Sequence, residues 1–277
     1  MKSQRLAILA AFAMTAFAAN SLLCRLALKH AQIDAASFTS IRILSGAAML
    51  WLIMRLQGKA KHASGSWISA FALFIYAAAF SLAYASLPAG TGALLLFGAV
   101  QTTMIFCGLR SGERLNRRQS TGLAMAISGL AAFMLPGVST PPLIGAVLML
   151  IAGVAWAIYS LLGKGSSDPL GMTAGNFFRA VPLAIGSSLL LMTRMQMNET
   201  GIVLAILSGA IASGMGYAIW YQVVRETRTT SAAIMQLSVP VIAAMGGMVL
   251  LGEAVTLRLY ISSMAILGGI AMVIMKD

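Results

Sequence analysis

Residues 91–129 and 231–269 can be written one above the other without a gap, and this internal repeat restricts the chain more than any other feature. Gly112-Glu113 lies 140 positions before Gly252-Glu253, and at the same offset Thr91 faces Ser231, Ala93 faces Ala233, Arg118 faces Arg258 and Gly129 faces Gly269. Upstream segments match at slightly smaller offsets: Ser21-Leu22-Leu23 with Ser160-Leu161-Leu162, Arg42 with Arg179, and Tyr84 with Tyr221. Both copies are filled by apolar runs of about 20 residues, the length that carries an α-helix across the hydrocarbon core. Each copy holds five such runs. Because five is odd, consecutive copies must enter a membrane in opposite orientations.

The charge content supports the membrane reading. Only 9% of residues are charged and 59% are hydrophobic, whereas a soluble domain carries roughly 25% charged residues. A transmembrane barrel would show alternating segments of roughly 10 residues, so the runs specify helices. A length of 277 residues leaves little beyond ten spans and short links, with no room for a soluble catalytic or nucleotide-binding domain. The net charge of +12 would suggest nucleic acid in a soluble protein. Here no nucleic-acid partner is expected, because the basic residues lie in loops with the bias of the positive-inside rule. Cys24 and Cys107 lie inside apolar runs and lack metal-ligand spacing. Lys2 and Arg5 followed by an apolar run resemble a signal peptide, but the run continues past Leu22 with no small-residue cleavage site. It is read as the first permanent span.

The expected spans are 6–25, 37–55, 67–87, 91–109 and 118–136, then 143–162, 173–193, 202–223, 230–250 and 257–275. The two copies are assigned to residues 1–138 and 139–277. Asn116 and Gln119 form a capping-box pattern, and Thr256 supplies a single cap for the last span. Pro88, Pro136 and Pro141-Pro142 mark tight turns. With both termini in the cytoplasm, thirteen Lys and Arg residues fall inside and four (Arg25, Lys29, Arg194 and Arg258) outside, while Arg42 and Arg179 lie within spans. That asymmetry sets the expected orientation in a bacterial inner membrane.

The second copy reads Gly216-Tyr217-Ala218-Ile219-Trp220-Tyr221, then Thr230-Ser231-Ala232-Ala233, Leu237-Ser238-Val239-Pro240-Val241 and Leu250-Leu251-Gly252-Glu253, ending at Thr256. This resembles the EamA domain of the drug/metabolite transporter superfamily, and the resemblance covers the chain as two tandem copies. The first copy departs from the pattern: Ala99-Val100 stands where the second has Val239-Pro240, and Ser111-Gly112-Glu113 where it has Leu251-Gly252-Glu253. The resemblance implies an all-α membrane protein of ten helices arranged as two inverted five-helix repeats. It also implies a central cavity between them and transport of small metabolites, often export of amino acids or related compounds. Inverted repeats are a recurrent construction of secondary transporters, with the substrate site at the repeat interface.

Polar side chains in hydrocarbon are costly and face a cavity or a partner. The residues expected to bind substrate are Asn20, Tyr76, Tyr84, Gln101, Trp156, Tyr159, Tyr217 and Gln236. The aromatic rings suit amphipathic solutes, and the Gln amides can both donate and accept. Interfacial anchoring competes as an explanation for Tyr84 and Tyr221, which lie near span ends; interhelical hydrogen bonding competes for Gln101, Gln236 and Asn20. Arg42 and Arg179 are either sites for an anionic group or structural residues that snorkel or bond carbonyls; their matched placement favours the structural role. Glu113 and Glu253 are read either as gate or proton sites, or as partners for backbone donors at the start of the next helix.

No Gly-Lys-Ser/Thr phosphate loop occurs, so ATP is excluded as the energy source, and no metal or other cofactor is expected. His30 and His62 lie far apart in sequence and no acid joins them, which argues against an enzyme. The acids Asp34, Glu113, Asp168, Glu199, Glu226, Glu253 and Asp277 all fall away from the expected bilayer midplane. The small multidrug-resistance relatives of the superfamily carry a coupling carboxylate in their first helix; the comparable region here offers Asn20, which cannot titrate. Facilitated diffusion or exchange by alternating access is therefore expected. The alternatives are a carrier of anionic or phosphorylated metabolites and a proton-coupled multidrug exporter. One chain suffices for a complete pathway, with a dimer as the alternative; the expected partners are the lipid bilayer and a small-molecule substrate.

Overall fold

The structure is a computed structural model that describes residues 2–31, 33–58, 63–112, 114–137, 140–164, 166–191, 193, 195–227 and 235–275. Glu113 lies outside the described residues, as does the whole Thr230-Ser231-Ala232-Ala233 element. The described residues form ten helices: α1 Lys2–His30, α2 Ala35–Leu56, α3 Trp67–Tyr84, α4 Ala89–Arg110, α5 Arg117–Met134, α6 Leu143–Leu162, α7 Pro169–Leu190, α8 Glu199–Glu226, α9 Ser238–Leu251 and α10 Leu257–Ile274. Seven of them are long and apolar enough to cross a membrane: α1, α2, α3, α4, α6, α8 and α10. Arg117 and Arg118 dilute the start of α5, and Arg179 and Asn176 do the same within α7. The described α9 has only 14 residues.

Local chemistry sets the helix ends where hydrogen-bonding side chains precede them. Asn116 accepts from the backbone N–H of Gln119 at 2.9 Å while the Gln119 side chain accepts from the Asn116 N–H at 3.0 Å, the reciprocal box expected from the sequence. Thr256 accepts from the Leu259 N–H at the start of α10. Asp34 does the same for α2 with the Ala36 and Ser37 N–H groups. At the other end of α9, Gly252 adopts φ 62°, the left-handed conformation that stops a helix and that glycine takes without Cβ strain. That turn sends Glu253 back along α9, so that its N–H donates to the Gly247 carbonyl and its carboxylate lies beside Gly247.

Successive helices run antiparallel between two ends of the bundle. At the distal end, away from the termini, Asp34 between α1 and α2 accepts from the Gln196 N–H just before α8. Gly145 at the start of α6 packs there on Ser86 and Leu87, which follow α3. At the terminal end, Ser64 before α3 donates its N–H to the Gly171 carbonyl of α7, and Gln119 of α5 donates to the Val273 carbonyl of α10.

Across the bundle α2 packs on α7, α4 on α9 and α5 on α10. Further contacts pair α3 with α6 and α1 with α8, α3 with α7 and α2 with α8, and α4 with α6 and α1 with α9. Lipid tails solvate apolar side chains as well as other helices do, so association relies on close packing. Gly122 of α5 and Gly269 of α10 supply it, since a Cβ on either would overlap the other's carbonyl oxygen. Trp67 is 60% exposed and Trp51, with Arg55 over its ring at 5.2 Å, is also exposed, as interfacial anchors are.

Candidate functional site

At the junction of α1, α3, α4, α6 and α8 lies a small cavity of about 10 Å³, room for about one water. Phe17, Asn20 and Ser21 reach it from α1, Tyr76 and Phe80 from α3, Leu96 and Phe97 from α4, Trp156 from α6, and Ala212, Ser213 and Tyr217 from α8. Trp156 is the centre of the wall. Its indole stacks on Tyr76 at 5.6 Å and 23° and meets the edges of Phe17 and Phe97 at 6.1 and 5.5 Å. Phe17 continues the aromatic surface to Tyr217 at 5.6 Å and to Trp220 at 6.0 Å. Such tilted and edge-on ring pairs contribute about 0.5–1.5 kcal/mol each beyond simple burial.

The polar part of the wall depends on an irregular stretch of α8. Residues Leu207–Met215 are π-helical, a geometry that widens the helix and commonly marks functional sites. Gly209 brings this stretch against α2 so tightly that a Cβ would overlap Ser45 and the Arg42 carbonyl. Ser208, at its start, donates to the side-chain oxygen of Asn20. The Asn20 oxygen is thus engaged across the contact between α1 and α8. Ala212 and Ser213 follow one turn later on the cavity side.

Behind Tyr76 and Phe80 stands Arg42 of α2, only 3% exposed. Its Nη2 donates to the Tyr76 hydroxyl at 3.0 Å, and the guanidinium lies 5.3 Å from the Tyr76 ring centre and 4.8 Å from that of Phe80. Nη1 is buried without a hydrogen-bond partner among the described residues. Arg179, its counterpart in the other half, behaves differently: its Nη1 donates to the Gly175 and Ser64 carbonyls at the partly exposed terminal end. The structural role expected for the matched pair describes Arg179 and does not describe Arg42.

The distal end is closed by charge. The Arg25 Nε bonds a Glu253 oxygen at 3.0 Å, and its Nη1 donates to the Tyr84 and Ala85 carbonyls at 2.9 and 3.1 Å. The second Glu253 oxygen accepts from the Ala89 N–H at 2.7 Å. Glu253 therefore does satisfy a backbone donor at a helix start, but the helix is α4, not the one that follows it in sequence. Arg25, counted from the sequence on the outer side at the end of the expected span 6–25, lies within α1 and is buried.

The terminal end is closed by neutral groups. Thr173 donates to the Tyr221 hydroxyl at 3.0 Å and the Asn176 side-chain oxygen accepts from the Ser66 N–H at 2.9 Å. The Tyr159 hydroxyl and the Asn176 nitrogen are buried without partners among the described residues. Outside the spans, burial pushes the Asp34 carboxyl up. The hydrogen bonds from Ser37, Gln196 and Ala36 outweigh it and leave the group below its ordinary value.

The structure brings Asn20, Tyr76, Trp156 and Tyr217 together at the cavity. Tyr84 is fully buried beside the distal closure, its hydroxyl donating to the Ala89 carbonyl, so it is not a lipid-facing anchor. Gln101 is buried on α4 one turn beyond Phe97, Tyr159 belongs to the terminal closure, and Gln236 is half-buried ahead of α9; none of these three lines the cavity. Phe17, Phe97 and Ser213 line it without having been singled out. Their only sequence signal is spacing, three residues before Asn20, four before Gln101 and four before Tyr217, which places each pair on one helix face.

Residues 143–275 match the EamA-like transporter family. An uncharacterized protein of Pseudomonas aeruginosa is 50% identical over 99% of this chain and 96% of its own length. Proteins described as "Probable amino-acid metabolite efflux pump" are 25% identical in Escherichia coli, over 66% of this chain and 67% of theirs, and 28% identical in Salmonella typhimurium, over 61% and 62%. A solved crystal structure superposes with TM-score 0.69 at 15% identity, covering 97% of both chains, a likeness of fold. The chain belongs to the EamA-like transporter family. It is a multi-pass membrane transporter of the drug/metabolite superfamily.

Proposed function

We propose that this transporter exports amino acids or related small metabolites by alternating access, as facilitated diffusion or exchange. The observation that carries the reading is a cavity at the meeting of both halves, shut at one end by Arg25 and Glu253 and at the other by Tyr159, Thr173, Asn176 and Tyr221. A carrier that alternates needs two such closures and a state with both shut. The helix packing supports two inverted repeats, 1–138 and 139–277. Exchanging each helix with the one five places along turns α3–α6 into α8–α1 and α4–α6 into α9–α1, and leaves α2–α7, α4–α9 and α5–α10 unchanged. The excess of Lys and Arg at the terminal end supports cytoplasmic termini. An Escherichia coli relative described as "Uncharacterized inner membrane transporter YedA", 27% identical over 47% of this chain and 40% of its own length, supports placement in a bacterial inner membrane, and the efflux relatives support an amino-acid class of substrate.

The test is a metabolite export screen comparing cells with and without overexpression, followed by purified protein in liposomes. Selective release of amino acids or related compounds down their gradient is the expected result. No substrate-dependent release in either assay would overturn the reading. Uphill accumulation driven by an imposed pH gradient, without counter-substrate, would replace facilitated diffusion with proton coupling.

A further inference from the structure

We propose that Arg42, acting with Tyr76, is the acid-recognising end of the site. The transported solute then presents a carboxylate to this pair and an apolar or aromatic body to the Trp156 wall. This rests on the transport reading above and names the substrate chemistry within it.

The starting point is an uncompensated charge. Arg42 is 3% exposed, and among the described residues no acid lies within ion-pair distance of it. Buried cations are normally paired, because an ion taken out of water needs a counter-charge or a full set of acceptors. Two ring faces and one hydroxyl supply part of that need. Nη1 has nothing. The contrast with Arg179 is direct: the same residue at the matched position spends its nitrogen on two carbonyls.

Tyr76 links this charge to the cavity. It touches the guanidinium on one side of the contact network and Trp156 on the other, and it lines the hollow. Because its oxygen accepts from Arg42, its own O–H is left to donate elsewhere. The pair therefore offers an acceptor one polarised O–H and, once the helices part, a planar guanidinium edge suited to both oxygens of a carboxylate. Among the described residues no carboxylate lines the hollow to hold an ammonium group, so the amino group of an amino acid is tolerated and not required. A dianionic phosphate would leave one charge unmatched beside a single cation.

The experiment measures ligand-induced thermal stabilisation of the detergent-purified full chain by L-phenylalanine, 3-phenylpropionate, L-phenylalaninamide and phenyl phosphate. The two carboxylates are expected to bind within about tenfold of each other and at least tenfold more tightly than the amide or the phosphate. Arg42→Gln is expected to erase the difference between acid and amide, and Arg42→Lys to keep part of it. Equal binding of acid and amide by the native chain, undiminished acid binding by Arg42→Gln, or no binding of any probe overturns the proposal. Each of these leaves the transport reading to be judged by the export screen. If Arg42→Gln does not fold, the native preference and Arg42→Lys decide.

Discussion

The two ends of the bundle are tied together by different chemistry. At the distal end, Arg25 and Glu253 satisfy each other and also the Tyr84, Ala85 and Ala89 backbone groups. At the terminal end, tyrosine, threonine and asparagine side chains pack with two polar atoms left over. A buried ion pair is expensive to part, because opening strands a charge in a low-dielectric interior. A neutral cluster that is already incompletely bonded loses less on opening. The distal closure is thus the firmer one in this state, and a similar inequality appears in the matched arginines: Nη1 of half-buried Arg179 donates to two carbonyls, whereas Nη1 of buried Arg42 has no partner among the described residues.

The largest expected effect strikes the firmer closure. Glu253→Ala leaves Arg25 uncompensated and lowers stability by about 3–5 kcal/mol, read as a depressed melting temperature in detergent. Tyr159→Phe removes a hydroxyl without a close hydrogen-bond partner among the described residues, so its stability stays within about 1 kcal/mol of the native value. Equal losses from the two would abolish the contrast between the ends.

Next in size is Gly247→Ala. The Cβ would stand 2.8 Å from a Glu253 oxygen, and overpacking of this kind costs about 1–3 kcal/mol. Pairing it with Glu253→Ala in a double-mutant cycle should show strong non-additivity, since the clash disappears with the carboxylate.

The arginines separate function from stability. Arg42→Met is expected to cut transport at least tenfold while stability holds or rises by on the order of 1 kcal/mol, because an unpaired buried charge is removed. Arg179→Met should do the reverse, preserving transport and losing about 1 kcal/mol with its two carbonyl contacts. Transport in liposomes alongside melting in detergent measures both.

Asp34→Ala has the smallest expected effect, about 0.5–1 kcal/mol from the lost helix cap, at the distal end only. Its pH dependence has a definite sign. The folded carboxyl titrates below its unfolded value, so the stabilisation is present above the unfolded carboxylate pKa, about 3.9, and disappears as pH falls through the folded value. Native and Asp34→Asn melting curves should converge on acidification.

The helices were largely legible from local pattern. The span expected at 143–162 is α6 residue for residue, and the Asn116–Gln119 and Thr256 caps form as read. These features depend on neighbours within a turn. The ninth span, expected at 230–250, begins at Ser238 where described, and residues 228–234 lie outside the described set. The candidate site was legible only in part. Asn20, Tyr76, Trp156 and Tyr217 meet at one hollow, whereas Tyr84 and Tyr159, equally aromatic and equally buried, belong to the two closures. Nothing in their local sequence distinguishes these cases.

Hydropathy and the low charge content were enough to specify an all-helical, multi-pass membrane protein, because in lipid each helix must satisfy its own backbone and so announces itself in the run of residues that forms it. Which polar groups meet was settled only when the helices packed. Arg25 finds Glu253 across 228 positions and Ser208 finds Asn20 across 188. Contacts over such separations depend on how helices cross and on where a π-helical stretch shifts their faces, neither of which any single segment encodes.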